Sequence, residues 1–311
     1  MVNRRTFLKG MSALAMSGLA VKADAAKHFF SADSIHAVKD QKHIGLQTYS
    51  LAGKLEKDLS TGMDRIAKMG YTELEICGYR GDTGDFGGIT AQEYRTAAEN
   101  AGLKITGSHL NPPVRKYTRE NLSQISDFWK KAVEIHHELG VRNIVQPGLP
   151  QIETEDDAKF VAEVYNNAGE ISNAAGILWG YHNHSGEFRK VANAGIDAQK
   201  EGKYIEEIFL KNTDPNKVMF ELDCYWAVMG QQDPCEWLEN YPDRYKLLHI
   251  KDRWILGDSG MMNFEKIFNV AYKNNFIGFY VELERDRRFN RDQWDGVEAS
   301  AKYLLSKDFV K

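Results

Sequence analysis

The chain has 311 residues, of which 42% are hydrophobic, so it is long enough for one large domain with a full core or for two small ones. Its formal net charge of -4 and its pI near 6.2 give no basic footprint, which argues against nucleic acid as a partner. The cysteines Cys77, Cys224 and Cys235 have no C-x-x-C spacing, and nothing in the sequence requires two of them to form a disulfide.

The first 25 residues have the three-part pattern of an export signal. Arg4 and Arg5 are followed by a weakly apolar stretch at residues 11–21 and then by the small-x-small triplet at residues 23–25. A short membrane anchor is the alternative, but the apolar stretch is far below the ~20 residues that a membrane span needs. We therefore predict a twin-arginine export signal at residues 1–25, a polar linker at 26–42 and a single folded domain at 43–311. The mature protein is then periplasmic or otherwise exported, with no stable membrane span.

From residue 44 onward, apolar runs typical of strands alternate with amphipathic stretches of helical period. Glycines such as Gly70 and Gly140 follow several predicted helices and favour a left-handed C-terminal cap. Eight strand–helix alternations over roughly 270 residues match the (β/α)8 barrel, or TIM barrel, an α/β fold. The predicted strands are residues 44–50, 71–78, 103–110, 141–148, 177–184, 218–223, 245–252 and 276–284, and the predicted helices are residues 55–69, 91–100, 119–139, 155–175, 262–273 and 292–305.

A doubly wound sheet is the alternative fold, but no glycine-rich phosphate loop follows the first predicted strand. The glycine-rich segment 81–88 lacks the G-x-G-x-x-G pattern and is predicted as a flexible rim loop. Segment 188–215, between the fifth and sixth strands, is longer than a helix needs, so part of it is predicted as a lid or rim.

Four residues of metal-ligand type, His182, Asp223, His249 and Glu282, lie at or near the ends of the last four predicted strands. A buried strand seldom tolerates charge, because an unpaired ion is costly to desolvate. In a barrel of this type the chemistry lies at the carboxyl ends of the strands, so these side chains are expected to converge. Such an N2O2 set suits Mn²⁺, Zn²⁺, Co²⁺ or Fe²⁺ better than Ca²⁺. Alternation places the residues two positions away on the same face, namely His184, Glu221, Lys251 and Glu284.

The same segments resemble a known family. YHNHSGEF (181–188), ELDCYW (221–226), LLHIKD (247–252) and YVELER (280–285) are similar to the sugar phosphate isomerase/epimerase superfamily, the xylose isomerase-like barrels. The resemblance covers the chain from about residue 44 to the C-terminus. It implies a barrel in which Glu, Asp, His and Glu from the last four strands hold one divalent metal ion.

Asp223, His249 and Glu282 match three of these ligands, whereas His182 stands where the first glutamate is expected. Trp226 stands where many relatives carry histidine. The variety with these two departures resembles an exported subgroup associated with keto-sugar and glycoside metabolism.

The implied chemistry is proton transfer at carbon. A divalent ion that bridges a carbonyl and a neighbouring hydroxyl acidifies the C–H between them and stabilises the enediolate. Reprotonation then isomerises or epimerises the sugar, and loss of a β-leaving group gives elimination. The predicted catalytic residues are Glu282 as base, His182 as a ligand that shares the acid–base role, and Lys251 as oxyanion stabiliser or proton donor. Substrate contacts are predicted for Gln47, Glu75, His109, His184, Trp226 and Arg285.

Each assignment has an alternative. The predicted ligands can form a metal-free polar network in the barrel mouth. His182 can be a core histidine that donates to Glu221 or Glu284. Lys251 and Arg285 can each form an ion pair with Glu284 or Asp252. Glu75 can pair with Arg80 at the rim.

The predicted function is a metal-dependent sugar isomerase, epimerase or lyase that acts on a non-phosphorylated keto-sugar or glycoside. One alternative is a non-catalytic sugar-binding barrel. Another is an endonuclease-type phosphodiesterase on the same fold, which needs further metal ligands and a basic groove. The sequence leaves open the sugar, the outcome of the reaction, the metal and whether the protein forms a homo-oligomer.

Overall fold

The computed structural model describes residues 42–284 and 291–311, and these residues contain a closed barrel of eight parallel strands. Consecutive barrel strands are neighbours, and β1 pairs with both β2 and β8 to close the barrel. Every strand lies within its predicted range, so the (β/α)8 barrel is confirmed and the doubly wound sheet is wrong. The strands are β1 (Gly45–Gln47), β2 (Glu73–Ile76), β3 (Lys104–His109), β4 (Asn143–Gln146), β5 (Leu178–His182), β6 (Val218–Asp223), β7 (Tyr245–Asp252) and β8 (Gly278–Leu283).

Helices surround the barrel, and the main hydrophobic core lies between them and the outward faces of the strands. Four helices of the described residues were not predicted, namely α5 to α7 and the one-turn helix Ala198–Glu201, because each is shorter than the window in which a helical period can be recognised. The helices are α1 (Leu59–Lys68), α2 (Ala91–Asn100), α3 (Leu122–Leu139), α4 (Glu155–Ala174), α5 (Ile205–Asn212), α6 (Cys224–Met229), α7 (Pro234–Asn240), α8 (Phe264–Ala271) and α9 (Gln293–Leu305).

Segment 81–88 is part of an antiparallel hairpin, Tyr79–Arg80 with Asp85–Phe86, rather than an irregular loop. Arg80 closes the hairpin through two bonds to the Asp85 carboxylate, at 2.7 and 2.8 Å. The alternative pairing of Glu75 with Arg80 is therefore wrong.

Segment 188–215 contains a second hairpin, Lys190–Val191 with Lys203–Tyr204, followed by α5. Phe188 and Tyr204 pack on Trp237 of α7, with ring centroids 5.3 and 6.2 Å away. None of the residues in this segment lines the cavity described below, so the prediction of a lid is not met.

The barrel interior changes from apolar to polar along the strands. Val145, Met219, Leu247 and Tyr280 form a small apolar cluster of their own. Because alternate residues share a face, Glu221, His249 and Glu282 follow two positions later on three of these strands. The polar part of the interior therefore lies towards the carboxyl ends of the strands.

Two register shifts interrupt the barrel. One lies between Leu74 and Glu75, where β2 pairs with β3, and the other between Phe220 and Glu221, where β6 pairs with β7. The neighbouring strand carries one additional residue at each shift, Thr106 and Lys246 respectively. Bulges of this kind re-aim side chains and are frequent beside active sites.

The predicted export signal lies outside the described residues, as does most of the predicted linker. Lys42, the last linker residue, donates to the carbonyl oxygens of Leu305 and Lys307 at 2.9 and 2.6 Å. Within the described part of the chain, no helix has the length and apolar character that a membrane crossing requires.

Candidate active site

A cavity of about 730 Å³ opens at the carboxyl ends of the barrel strands. A second cavity, of about 610 Å³, lies apart from it beside α8 and the end of α9 and contains none of the predicted site residues. The first cavity is lined by Tyr49, Cys77, Gly78, Tyr79, His109, Leu110, Asn111, Pro147, Gly148, His182, His184, Trp226, Lys251, Glu282 and Glu284.

The four predicted metal ligands converge at this end of the barrel, and two of them, His182 and Glu282, line the cavity. His249 Nδ1 lies 2.9 Å from Glu282 Oε2, and His182 Nε2 lies 3.7 Å from Asp223 Oδ2. Potential ligand atoms of Asp223, His249 and Glu282 all lie within 4.8 Å of one another. All four residues are buried, with His182 at 1% exposure.

Two atoms of this group indicate that a metal ion fits. Asp223 Oδ2 and His249 Nδ1 are buried and make no hydrogen bond of good geometry, although charged groups lie near both: Glu282 Oε2 is 2.9 Å from His249 Nδ1 and Lys251 Nζ is 3.6 Å from Asp223 Oδ2. Buried polar atoms in native proteins are nearly always satisfied, so two such atoms pointing at the same place require an explanation. Nitrogen and oxygen ligands lie about 2.0–2.2 Å from a bound Zn²⁺, which places them a few ångströms from one another, as here. Asp223, His249 and Glu282, with His182 beside them, therefore suit one divalent ion.

A second group of ligand-type side chains lies deeper and shares His249 with the first. Glu221 Oε2 is 2.8 Å from His109 Nε2, 3.1 Å from His182 Nδ1 and 3.2 Å from His249 Nε2. Glu221 was not among the predicted site residues. The signal that could have found it is its position two residues before Asp223, which puts both carboxylates on one face of β6.

Gln47 and Glu75 were predicted to contact substrate, but the structure does not place them there. Both are fully buried and absent from the cavity lining. Gln47 donates to Glu75 Oε2 at 2.7 Å, and the same oxygen lies 2.8 Å from His249 Nε2. Both residues therefore support His249 from below.

Lys251 lines the cavity and also forms the ion pair foreseen as its alternative. Its Nζ lies 2.8 Å from Glu284 Oε2, 3.2 Å from Glu282 Oε1 and 3.6 Å from Asp223 Oδ2. Burial acts to lower the Lys251 pKa, but the carboxylates of Glu282, Asp223 and Glu284 outweigh it and raise the pKa above its usual range. Burial acts to raise the Glu282 pKa, but Lys251 and His249 hold that pKa below its usual range. At neutral pH the pair is thus an ammonium and a carboxylate.

Burial gives the histidines different charge states. It lowers the pKa of His109 and His184 to about 4, and that of His182 well below its usual value, so these imidazoles are neutral at pH 7. Burial also opposes charge on His249, but Glu221, Glu282 and Glu75 raise its pKa well above the usual value. Burial raises the pKa of Glu221 to about 7 and that of Asp223 to about 6.

The cavity wall above the cluster is formed by His184 and Trp226. Their ring centroids are 5.7 Å apart, and Lys251 Nζ lies 5.6 Å from the centre of the Trp226 ring. Asn183 joins the ends of β5 and β6, because its Oδ1 accepts from the Asp223 backbone N–H at 3.0 Å. Arg285, another predicted substrate contact, lies outside the described residues. Tyr49, Tyr79 and Asn111 were missed, since they lie in a 3-10 helix, a hairpin and a loop, where no strand period marks the inward face.

Lys251 is the only lysine or arginine among the described lining residues, and its charge is balanced by nearby carboxylates. The described wall thus has neither a cluster of cations for phosphate nor a basic groove for a polynucleotide.

The fold and the site together define a (β/α)8 barrel with a metal-compatible cluster of histidines and carboxylates below an open cavity. The chain belongs to the xylose isomerase-like TIM barrel family, whose sequence model matches residues 63–307. The family predicted from the sequence is thereby confirmed.

Solved structures and curated relatives agree with this assignment. The crystal structure of a sugar phosphate isomerase/epimerase from Parabacteroides distasonis is 57% identical, with a TM-score of 0.85, and the match covers 89% of this chain and all of the other. A D-psicose 3-epimerase from Clostridium cellulolyticum shares the fold, with a TM-score of 0.65 at 16% identity over 87% of this chain and 99% of the other. An inosose dehydratase from Clostridium tetani is 25% identical over 157 residues, which are 43% of this chain and 49% of the relative. The chain thus spans about half the length of the curated relatives it matches.

Proposed function

We propose that the protein is a divalent-metal-dependent enzyme that moves a proton at a carbon next to a carbonyl in a non-phosphorylated keto-sugar or keto-glycoside. The observation that carries this proposal is the pair of buried atoms that make no hydrogen bond of good geometry, Asp223 Oδ2 and His249 Nδ1, beside Glu282, which lines an open cavity. The names of the relatives describe epimerisation and dehydration of sugars and of an inosose, which supports the same class of chemistry.

Asp223, His249 and Glu282 would hold the ion, with His182 as fourth ligand, and the donor set suits Mn²⁺, Zn²⁺, Co²⁺ or Fe²⁺. When bound, a divalent ion polarises a carbonyl and a neighbouring hydroxyl, and this acidifies the C–H between them.

Glu282 is the proposed base. It is ionised and lines the cavity, and its Oε1 lies 3.2 Å from the Lys251 ammonium. Lys251 can therefore donate a hydrogen bond to the oxygen on which negative charge develops, or a proton to a leaving group. His182 differs from the prediction in one respect. Its Nδ1 contacts Glu221 and its Nε2 faces Asp223, so we assign it as a ligand and not as a proton carrier.

The remaining cavity residues suit the binding of a sugar. Neutral His109 and His184 can each accept or donate a hydrogen bond to a hydroxyl. The ring of Trp226 offers an apolar surface to a sugar face. The scarcity of cations in the described lining supports a substrate without phosphate.

The test compares Asp223→Ala and Glu282→Gln with the wild type for metal content and for deuterium uptake from D2O into a panel of keto-sugars and keto-glycosides. We expect about one divalent ion per wild-type chain. Asp223→Ala should lose both metal and exchange, since a carboxylate ligand is removed. Glu282→Gln should lose exchange, since an amide cannot act as a base. The exposed Asp127→Ala is the matched control and should retain both properties.

Other outcomes would favour another function. Full exchange by the metal-stripped protein would overturn the metal-dependent mechanism. Metal binding without exchange or elimination on any substrate would favour a non-catalytic sugar-binding barrel. Several tightly bound ions per chain together with phosphodiester cleavage would favour the endonuclease alternative.

A further inference from the structure

One carboxylate oxygen, Glu221 Oε2, is shared by three imidazoles from three other strands. It lies 2.8 Å from His109 Nε2, 3.1 Å from His182 Nδ1 and 3.2 Å from His249 Nε2. Glu221 and His249 are fully buried, His182 is 1% exposed and His109 is 9% exposed. Glu221 does not line the cavity and therefore does not contact a substrate bound there.

These contacts determine which nitrogen of each ring carries hydrogen. An ionised carboxylate only accepts hydrogen bonds, and a protonated one still accepts on its other oxygen. Glu221 Oε1 is buried without a hydrogen-bond partner, so a proton on it would be an unsatisfied donor, and the ionised form of Glu221 is the one in which Oε2 accepts from all three rings. The nitrogens that face Oε2 are therefore N–H donors: Nδ1 of His182, and Nε2 of His109 and His249.

The opposite nitrogens of His182 and His249 point at the proposed metal ligands. His182 Nε2 lies 3.7 Å from Asp223 Oδ2, and His249 Nδ1 lies 2.9 Å from Glu282 Oε2. A neutral imidazole that donates through one nitrogen has a lone pair on the other, and metal-ligating histidines commonly donate their second N–H to a carboxylate.

We propose that Glu221 is a positioning residue that fixes the tautomer of His182, so that this ring directs a lone pair towards Asp223. The proposal rests on the proposed metal-dependent function. In this role Glu221 acts through His182 and contacts neither the ion nor the substrate.

His182 is the more informative of the two rings. Glu75 Oε2 also lies 2.8 Å from His249 Nε2, so His249 keeps a carboxylate acceptor when Glu221 is removed. For His182 Nδ1, Glu221 is the acceptor that the described residues provide. The register shift between Phe220 and Glu221 contributes to this geometry, because a bulge changes the direction of the neighbouring side chains, here that of Glu221.

The test is ¹⁵N NMR of the metal-free protein labelled on its histidines, with the His182 signals assigned from the spectrum of His182→Gln. In the wild type we expect Nδ1 of His182 to resonate as a protonated nitrogen and Nε2 as an unprotonated one. In Glu221→Leu, which removes the acceptor, we expect His182 to change to the Nε2–H tautomer or to a mixture of the two. In Glu221→Gln, which keeps one acceptor oxygen, the wild-type tautomer should persist.

Affinity for Mn²⁺ or Zn²⁺, measured by titration calorimetry, is the second readout. Loss of an outer-shell partner typically weakens metal binding by about 10- to 100-fold, and we expect a loss in this range for Glu221→Leu. Glu206→Gln is the matched control, because it alters another fully buried carboxyl group away from the cluster and should leave the affinity unchanged.

The outcomes separate this proposal from the proposed function. An Nε2–H tautomer of His182 in the wild type would overturn the role of Glu221, even if Glu221→Leu fails to fold. So would a Glu221→Leu protein that keeps both the wild-type tautomer and the wild-type affinity. The expected tautomers in a wild-type protein that binds no divalent ion would instead overturn the proposed function.

Discussion

At the scale of single residues, His182 and Glu221 change where the negative charge of the site lies. A histidine in place of the expected glutamate on β5 makes the group around the proposed ion one unit less negative. Glu221 supplies a carboxylate one layer deeper, 3.1 Å from His182 Nδ1. The negative charge is thus displaced from the cavity floor into the barrel, where it can orient ligands but cannot reach a substrate.

A second pair of buried carboxyl groups lies outside the site. Glu206 accepts from Tyr245 at 2.9 Å, and Glu187 accepts from the His184 backbone N–H at 2.9 Å. Burial raises the pKa of Glu206 to about 8 and that of Glu187 to about 7. Both groups are therefore largely protonated in the folded protein under mildly acidic conditions, where an unfolded chain would have released the proton.

Glu206→Gln should flatten the pH dependence of stability. The folded-state pKa is raised, so the stabilisation is complete below the unfolded value of ~4.3 and is lost as the pH rises through about 8. Within that window the free energy of unfolding falls by up to about 1.4 kcal/mol per pH unit for each such proton. The variant should lose less stability than the wild type between pH 5 and pH 8 in urea denaturation. The exposed Glu170→Gln should follow the wild type, and parallel curves for Glu206→Gln and the wild type would contradict the assignment.

The sequence was informative where a strand ends and alternation sets the face. Asp223, His249 and Glu282 were found in this way, and the structure brings them together. The role of Glu221 was missed because it depends on distances across the barrel, such as the 2.8 Å contact with His109, which lies 112 residues earlier. Gln47 and Glu75 were predicted to contact substrate but lie below the cavity. The reason is related, since no local sequence pattern shows how far along the barrel axis a given strand residue lies.

At the scale of elements, the hairpin segment between β5 and β6 packs against the helical layer outside the barrel. Trp237 of α7 is its anchor, since it is 8% exposed and contacts Phe188, Tyr204 and Tyr241 at ring separations of 5.3 to 6.2 Å. The hairpin that it holds carries lysines at positions 190 and 203, and neither lines the cavity.

Trp237→Ala should loosen this hairpin without disturbing the metal ligands. Truncation of a buried aromatic side chain costs about 3–5 kcal/mol, and we expect a loss of this order in the free energy of unfolding. Limited trypsin digestion should cut the variant faster than the wild type within residues 189–204. Metal content should stay at the wild-type level, and its loss would show that the hairpin supports the site after all.

The barrel strands were predictable because strands buried on both faces give continuous apolar runs that end in polar residues. The short helices α6 and α7 were not, because each spans only about two turns, too few for an amphipathic period to be distinguished. The two hairpins were missed for a similar reason, since each of their strands has two residues.

At the scale of the whole molecule, the proposed export determines where the protein acts. Replacing both Arg4 and Arg5 by lysine should leave the 35.4 kDa precursor uncleaved in the cytoplasm, because the twin-arginine route depends on that pair. Cell fractionation with N-terminal sequencing measures this, and wild-type cleavage is expected near Ala25. Lys27→Arg is the control. A double variant that is exported and cleaved like the wild type would contradict the assignment of residues 1–25.

Closure of the barrel completes the site, because it brings β2 and β7 together at the level of the imidazoles. Glu75 and His249 are separated by 174 residues, yet their side chains are 2.8 Å apart. The resemblance to a known family pointed to the ligand residues of the last four strands. The residues of β1, β2 and β3 that support these ligands could be identified only from the structure.

The two register shifts restrict how this interior can evolve by insertion and deletion. Beyond Lys246, the residues of β7 alternate between the helices and the barrel axis, with His249 and Lys251 facing the axis. Deletion of one residue between Lys246 and His249 would reverse that alternation and turn both side chains into the helical layer, where an unpaired ammonium is costly. A lineage of such barrels can thus exchange one ligand type for another, as at position 182, far more readily than it can gain or lose a residue next to a bulge.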